Sequence, residues 1–521
     1  MHGVSALLLP SARRCSIIRN AASAGTLAPR ARIRCGGEDG RRHYRIERGA
    51  GCSCDLRCAA NPALAPSVRY GRRDRGHDGR YPVVTSIISN LLSGLGRKVR
   101  FGPVARLPML FIVAVILLAS DEPTCMAGTA RPSPAKFEQL TETFNREIRT
   151  GIIPGAVVLI AQHGQPVYFK CFGVRDAATT TPMTPDTLFA LHSMTKPITS
   201  VAAMMLIDDG KLSLDDPVAR YIPAFASMEV GTDAIAADGK PFLKLLPANR
   251  PITIRDLLRH TSGITYEYIG SDLITTAYTD AKLFADNFDN KLFAERIAGL
   301  PLSSQPGTLW RYGHSTDVLG RVIEVASGKS LFEFERERIF APLGMTNTSY
   351  VVTTDADRAR MAAPMPDDSE LRDSERARLA HPQWQSGGGG LVSTAADYAR
   401  FSEMILHRGE LNGKHYLSPK SYEQMTTDQI GPGSGVARDN DYFPGAAFGF
   451  GFGFAVRLDT GKTELPEQGA VGNLEWDSGS GPAFVVDPEH DLVAVMMVQV
   501  GAKRGQVQHA FKKLVYEALE K

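Results

Sequence analysis

The apolar runs AVVLIA, from Ala156, and DLVAVMMVQV, from Asp491, stand at opposite ends of one stretch of chain, with a long helically patterned region between them. Each is rich in residues that favour strands, and each keeps company with a helix signature. Before the first, Phe137, Leu140, Phe144 and Ile148 recur at helical spacing until Pro154-Gly155 ends the pattern. After the second, Val507, Ala510, Phe511, Leu514, Val515 and Leu519 repeat it. AVVLIA is joined to PVYFKCFGV across Gln162-His163-Gly164-Gln165, and AFVVD to DLVAVMMVQV across Pro488-Glu489-His490, so both ends supply antiparallel pairs. The expected class is therefore α+β: an antiparallel sheet flanked by N- and C-terminal helices, with an inserted, mostly helical lobe over about 221–383. TIRDLLRH and STDVLGRVIEVAS are the clearest helices of that lobe, and a cleft is expected where it meets the sheet. FGFGFGF, from Phe448 to Phe454, reads as one strand with aromatics on one face and glycines on the other, open to close packing by a helix.

The chain before this stretch has another character. Residues 1–80 carry sixteen arginines, six acids and no lysine, a balance of +10 in a chain whose total is +3, which leaves −7 for the rest. Five of the seven cysteines (Cys15, Cys35, Cys52, Cys54 and Cys58) sit there, without sustained hydrophobic periodicity. Residues 1–96 are expected to be a basic extension without a core, disordered or an over-extended reading frame, rather than a basic tail for nucleic acid or membrane. Residues 97–127 place Arg97, Lys98, Arg100 and Arg106 before the apolar run Leu107–Ala119, with small residues near Cys125 and Ala127. That run is short for a membrane span and has the order of a secretory signal, with an uncleaved anchor as the alternative. The mature chain, about 128–521, is expected to be exported to the periplasm or beyond, and Cys171 is its one cysteine.

The chemistry is concentrated in LFALHSMTKPITSVAAMMLIDDG, from Leu188. Ile198, Val201, Ala202, Met205 and Leu206 form a helical stripe that puts Ser193 at the helix start, with Lys196 on the same face. A lone Ser-x-x-Lys is most simply an N-cap and a solvated charge. A nucleophile needs more: an amine able to take the hydroxyl proton, and a tyrosine beside it to share that proton. Tyr312-Gly313-His314, in PGTLWRYGHSTDVLG, is the downstream candidate.

HSMTK, RDLLRHTSGI, the Tyr312 segment and SGGGGLVSTAADYARF, in that order, resemble the serine β-lactamase and penicillin-binding protein superfamily, closest to class C β-lactamases and family VIII carboxylesterases. The resemblance covers roughly 137–519. It implies that Ser193 is acylated and that Lys196 and Tyr312 activate first the serine and then the deacylating water. His314 stands where that family usually has asparagine, though imidazole can still donate a hydrogen bond. The third family element, a strand bearing Lys-Thr-Gly or a variant, falls by order on EWDSGSGPAFVVD, which brings Trp476, Asp477 and Ser478 to the substrate and makes the backbone N–H groups of Ser193 and Gly479 the oxyanion hole. Trp476 in place of a lysine, beside Asp477, points to neutral esters, with Trp476 as core packing the alternative.

A Ser-His-Asp hydrolase around Ser315 in GHSTD fails because Asp317 replaces the closing glycine and the sheet is not of the parallel kind that an elbow needs. His260 reads as the close of a helix opened by Thr253 and Asp256, and Gly387–Gly390 as a tight turn before a helix capped at Ser393 or Thr394. The mature region shows no metal-ligand spacing, and no cofactor is expected. The expected function is a serine hydrolase of carboxylic esters. β-Lactamase, D-aminopeptidase, DD-carboxypeptidase and acyltransferase share its acyl-enzyme, and an inactive binding protein of the same fold is the non-enzymatic alternative. Its partner is a small ester or amide, with no nucleic acid, and a membrane only through the N-terminal segment.

Overall fold

The computed structural model describes residues 134–519 except 271, 286 and 459–468, together with short strands between Ala6 and Leu56. The chain divides into two units, Met1–Ile112 and Val113–Lys521. In the first, the described residues pair as Ala6–Leu7 with Ser16–Ile17, and as an antiparallel set Ile33–Gly36, His43–Glu47 and Ser53–Leu56. The expected signal over 97–127 lies outside the described residues. Among those described, no helix is long and apolar enough to cross a membrane.

The second unit is built on an eight-stranded antiparallel sheet. Its strands are β1 (Gly155–Gln162), β2 (Gln165–Asp176), β3 (Thr181–Pro182), β4 (Phe448–Phe450), β5 (Ala455–Arg457), β6 (Leu474–Asp477), β7 (Ala483–Asp487) and β8 (Leu492–Val498). Their order is β4-β5-β6-β7-β8-β1-β2-β3. The two ends of the chain thus meet at mid-sheet, where β8 pairs with β1 from Leu492 opposite Gln162 to Val498 opposite Ala156.

Successive strand residues point to opposite faces, and both faces are covered. Ala156, Val158 and Ile160 bury against α1 (Glu138–Arg149) and the C-terminal helix α5 (Arg504–Leu519). Val157 and Leu159 join the larger core formed with α2 (Thr195–Asp208), α3 (Ser315–Ser327) and α4 (Ala395–Leu406). Cover on both faces is why β1 and β8 read as unbroken apolar runs although the sheet is antiparallel. Helix α2 is buried from Thr195 through Leu206 with its polar residues included, the condition of a helix enclosed by sheet and lobe.

Two expectations need correction. The lobe holds a β-hairpin, Glu229–Ile235 with Pro241–Pro247, inside the region read as mostly helical. Asp238-Gly239 is its turn, with φ of 81° at Gly239, a hairpin signal outweighed by the apolar run around it. FGFGFGF is a hairpin rather than a single strand: β4 and β5 pair across Gly451–Phe454, and all four phenylalanines are buried. Gly453 has φ of 90°, and a Cβ there would lie 2.5 Å from Ser200 Oγ on α2, so a helix does pack closely at this glycine. TIRDLLRH forms Ile254–Leu258 with Thr253 and Asp256 as a reciprocal capping box, and the chain turns away at His260, where φ is 56°.

Candidate active site

Ser193 lies in a 3-10 turn, His192–Met194, that runs directly into α2. The N-cap of α2 is Met194, so the Ser193 hydroxyl is not spent on capping. Its neighbour His192 holds φ of 41°, a left-handed backbone uncommon outside glycine. Tyr312 Oη donates to Ser193 Oγ at 2.7 Å, and Lys196 Nζ approaches the same oxygen at 3.4 Å. Lys196 is 1% exposed, and its ammonium has three acceptors for three protons: Ser193 Oγ, Tyr266 Oη at 3.1 Å and the Gly388 carbonyl at 2.7 Å. That charge also sits 4.6 Å from the centre of the Tyr312 ring. Burial holds the Tyr266 phenol well above its ordinary pKa, so it stays neutral beside the lysine.

The surrounding backbone is fitted to this meeting. A Cβ at Gly313 would lie 2.3 Å from the Ile264 carbonyl, so only glycine lets the Tyr312 segment pass the strand of chain that carries Tyr266. Asp317, in the first turn of α3, accepts from Ser386 Oγ at 2.5 Å and from the Gly388 N–H at 3.0 Å. The glycine run is indeed a tight turn, closed by Gly390 N–H to Ser386, and Thr394 caps the helix after it. It does more than turn, because Asp317 fixes the Gly388 peptide whose carbonyl holds Lys196.

His314 faces carboxylates on both sides, Asp317 from Nδ1 at 2.9 Å and Glu267 from Nε2 at 3.3 Å. Burial alone would lower its pKa, but the two acids outweigh burial and hold it above the ordinary value. Burial pushes Asp317 up, and His314 and Lys196 bring it below its usual range; Glu267 is lowered in the same way by His314. With both ring nitrogens engaged, His314 has no N–H left for the amide-like substrate contact expected of it.

The residues expected on the third element separate by the period of the strand. Trp476 points into the core, 3% exposed, against Tyr312, Phe443 and Phe450. Asp477 points to the opposite face and, with Glu475, holds Lys512 of α5, each at 2.8 Å. The substrate-facing negative charge expected beside Trp476 is therefore absent, and Trp476 itself backs Tyr312 instead of lining the cleft. Ser478 turns inward to Ser480 Oγ at 2.9 Å. Gly479 is exposed at the tip of the turn, whose own bonds run from Ser478 N–H to Pro482 and from Gly481 N–H to Ser478. Ser480 Oγ donates to the Ala190 carbonyl at 3.1 Å, tying this turn to the segment just before Ser193.

From Ser193 opens a cavity of about 400 Å³, walled by Tyr266, Phe284, Trp384, Val351 and Leu379, with Glu267, His314 and Asp317 at one side. No lysine or arginine lines it among the described residues. The helix Ser369–Leu379 contributes to the wall, and its Glu375 meets His192 Nε2 at 2.5 Å. Sequence reasoning missed Tyr266, Glu267, Asp317 and Gly388. The signals were at hand in TYEY directly after RHTSGI and in His314 three residues before Asp317.

Fold and site together define a serine hydrolase on the antiparallel α+β plan. The chain belongs to the Beta-lactamase family, whose model matches residues 137–516. It is 30% identical over 423 residues to esterase EstB of Burkholderia gladioli, covering 76% of this chain and 99% of the relative. It is 37% identical over 364 residues to protein Rv1367c of Mycobacterium tuberculosis, covering 67% of this chain and 86% of the relative. Among solved structures it is similar to EstCE1, described as a hydrolase with promiscuous acyltransferase activity, at 26% identity and a TM-score of 0.60 over 74% of this chain and 98% of that one.

Proposed function

We propose that this enzyme cleaves neutral carboxylic esters through an acyl-enzyme on Ser193. The observation that carries the reading is the Ser193 hydroxyl held by Tyr312 at 2.7 Å and Lys196 at 3.4 Å, at the mouth of a cavity that no lysine or arginine lines among the described residues. The Tyr312/Lys196 pair is the base in its form with one proton fewer, Tyr312 as phenolate beside the Lys196 ammonium: Ser193 Oγ attacks the ester carbonyl and its proton passes to Tyr312 Oη. The N–H groups of Ser193 and Gly479 receive the oxyanion, the alcohol leaves with the proton, and water repeats the step. A β-lactam or a peptide C-terminus carries a carboxylate, which would meet Glu267 and Asp317 in a cavity that no lysine or arginine lines among the described residues; a neutral acyl group meets aromatic rings. Similarity to EstB supports the ester reading.

The test compares wild type with Ser193→Ala on a short-chain p-nitrophenyl ester and on a chromogenic cephalosporin. Ester turnover that vanishes in the variant, with little cephalosporin cleavage, is the expected result; ester turnover that survives in Ser193→Ala, or fast cephalosporin cleavage, sinks the reading. Transfer of the same acyl group to an alcohol in place of water is the second reading, favoured by the likeness to EstCE1, and an added alcohol acceptor that captures acyl product would establish it. Export is a further part of the proposal, read from residues 97–127. The mass of the native N-terminus, with the compartment in which the chain is found, tests it.

A further inference from the structure

Phe443 is 58% exposed although it packs edge-on against Tyr312, with ring centres 5.1 Å apart, and also touches Trp310 and Trp476. Single exposed apolar side chains are ordinary on a protein surface; what sets Phe443 apart is that it packs on the residue proposed to transfer the proton. Its position is fixed. Arg311 pairs with Asp439 at 2.7 Å and with Asp441, while Tyr442 packs on Trp310 and donates to the Phe448 carbonyl at 3.0 Å. The three consecutive residues Trp310, Arg311 and Tyr312 thus hold the loop that presents Phe443.

From this arrangement we infer that Phe443 is the specificity-determining surface for the alcohol portion of the ester, and that it selects bulky apolar alcohols. The inference rests on the acyl-enzyme reading above. In acylation a bond forms from Ser193 Oγ to the carbonyl carbon, the bond from that carbon to the alcohol oxygen breaks, and the proton taken by Tyr312 passes to that oxygen. The departing oxygen must therefore stand on the Tyr312 side. The cavity that opens from Ser193 is walled by Tyr266, Phe284 and Trp384 and includes neither Tyr312 nor Phe443. The acyl chain has that cavity, and the alcohol is left with the exposed face of Phe443. Deacylation by an alcohol acceptor runs the same path backwards, so the same surface sorts acceptors.

The experiment measures kcat/KM for ethyl and cyclohexylmethyl butanoate, two primary-alcohol esters of one acid, on wild type, Phe443→Ala and Phe443→Leu, with ethyl acetate and ethyl octanoate as acyl controls. Phe443→Ala should lower the cyclohexylmethyl-to-ethyl ratio of kcat/KM on the butanoates about tenfold, and Phe443→Leu should recover most of that ratio. The ratio of ethyl octanoate to ethyl acetate should stay at its wild-type value. Equal losses on both butanoates, or a shift in the acyl ratio, would overturn the assignment. Mass spectrometry of wild type quenched during turnover separates the two failures. A butanoyl group on Ser193 with unaltered alcohol selectivity in Phe443→Ala rejects only this inference, whereas turnover without acylated Ser193 rejects the site reading and the inference with it.

Discussion

Lys196 is the residue on which the site turns, because each of its protons has a partner and each partner comes from a different part of the chain. Removing the Tyr266 hydroxyl leaves one N–H of a buried ammonium without an acceptor, so Tyr266→Phe should lower kcat by about tenfold, equivalent to one hydrogen bond to a charged group. Tyr312→Phe removes the group proposed to pass the proton and should cost ~10²–10⁴ in kcat, with the melting temperature unchanged because the ring contacts remain. Steady-state kinetics beside thermal melts separate the two effects. Asp477→Asn is the opposite case: with its side chain turned to Lys512, it should lower the melting temperature and leave KM for esters unaltered. A change in ester selectivity there would restore the substrate role that the strand geometry denies it.

At the scale of elements, the N-terminal turn of α3 is a charge cluster with a definite pH window. The acids Asp317 and Glu267 lie below their ordinary values of 3.8 and 4.5, and His314 lies above 6.5. The acids contribute stability that is present above their ordinary values and lost as pH falls through their lowered ones. His314 contributes stability that is full below 6.5 and lost as pH rises through its raised value. His314→Asn leaves buried Asp317 and half-buried Glu267 without their shared cation, so it should melt well below wild type at pH 6, with the gap narrowing towards alkaline pH as wild-type His314 gives up its own proton. Glu335, buried where it accepts from Thr199 of α2 at 3.3 Å, is pushed up to about 8 by burial. Between its ordinary 4.5 and that value the unfolded chain ionises while the folded one does not, so stability falls as pH rises. Glu335→Gln should gain ~1–3 kcal/mol at pH 7.5 and nothing at pH 4.5, read from melts at the two pH values.

For the molecule as a whole, both hydrophobic cores are formed by residues from Phe137 to Ala518. A chain of residues 130–521 should therefore melt cooperatively, whereas stopping before Arg504 removes α5, bares the sheet face holding Val158, Val485 and Ala494, and should give insoluble protein. The sheet, its two flanking helices and the Ser193, Lys196 and Tyr312 candidates were legible from sequence because strand runs, helical spacing and an ordered set of motifs are properties of local chain. The hairpin at Asp238-Gly239 and the bend in FGFGFGF were not, since an apolar run carries no mark of where it reverses. Which face Trp476 and Asp477 take depends on strand register, and register is set by the neighbours β5 and β7 across the sheet. What the sequence by itself determined is the architecture and the candidate nucleophile with its candidate partners. Tertiary structure alone decided that Tyr266 and Gly388 complete the shell of Lys196, that His314 is occupied by acids, and which side chains wall the cavity at Ser193. Those contacts join segments distant in sequence, and only close packing in space selects among the polar groups able to make them.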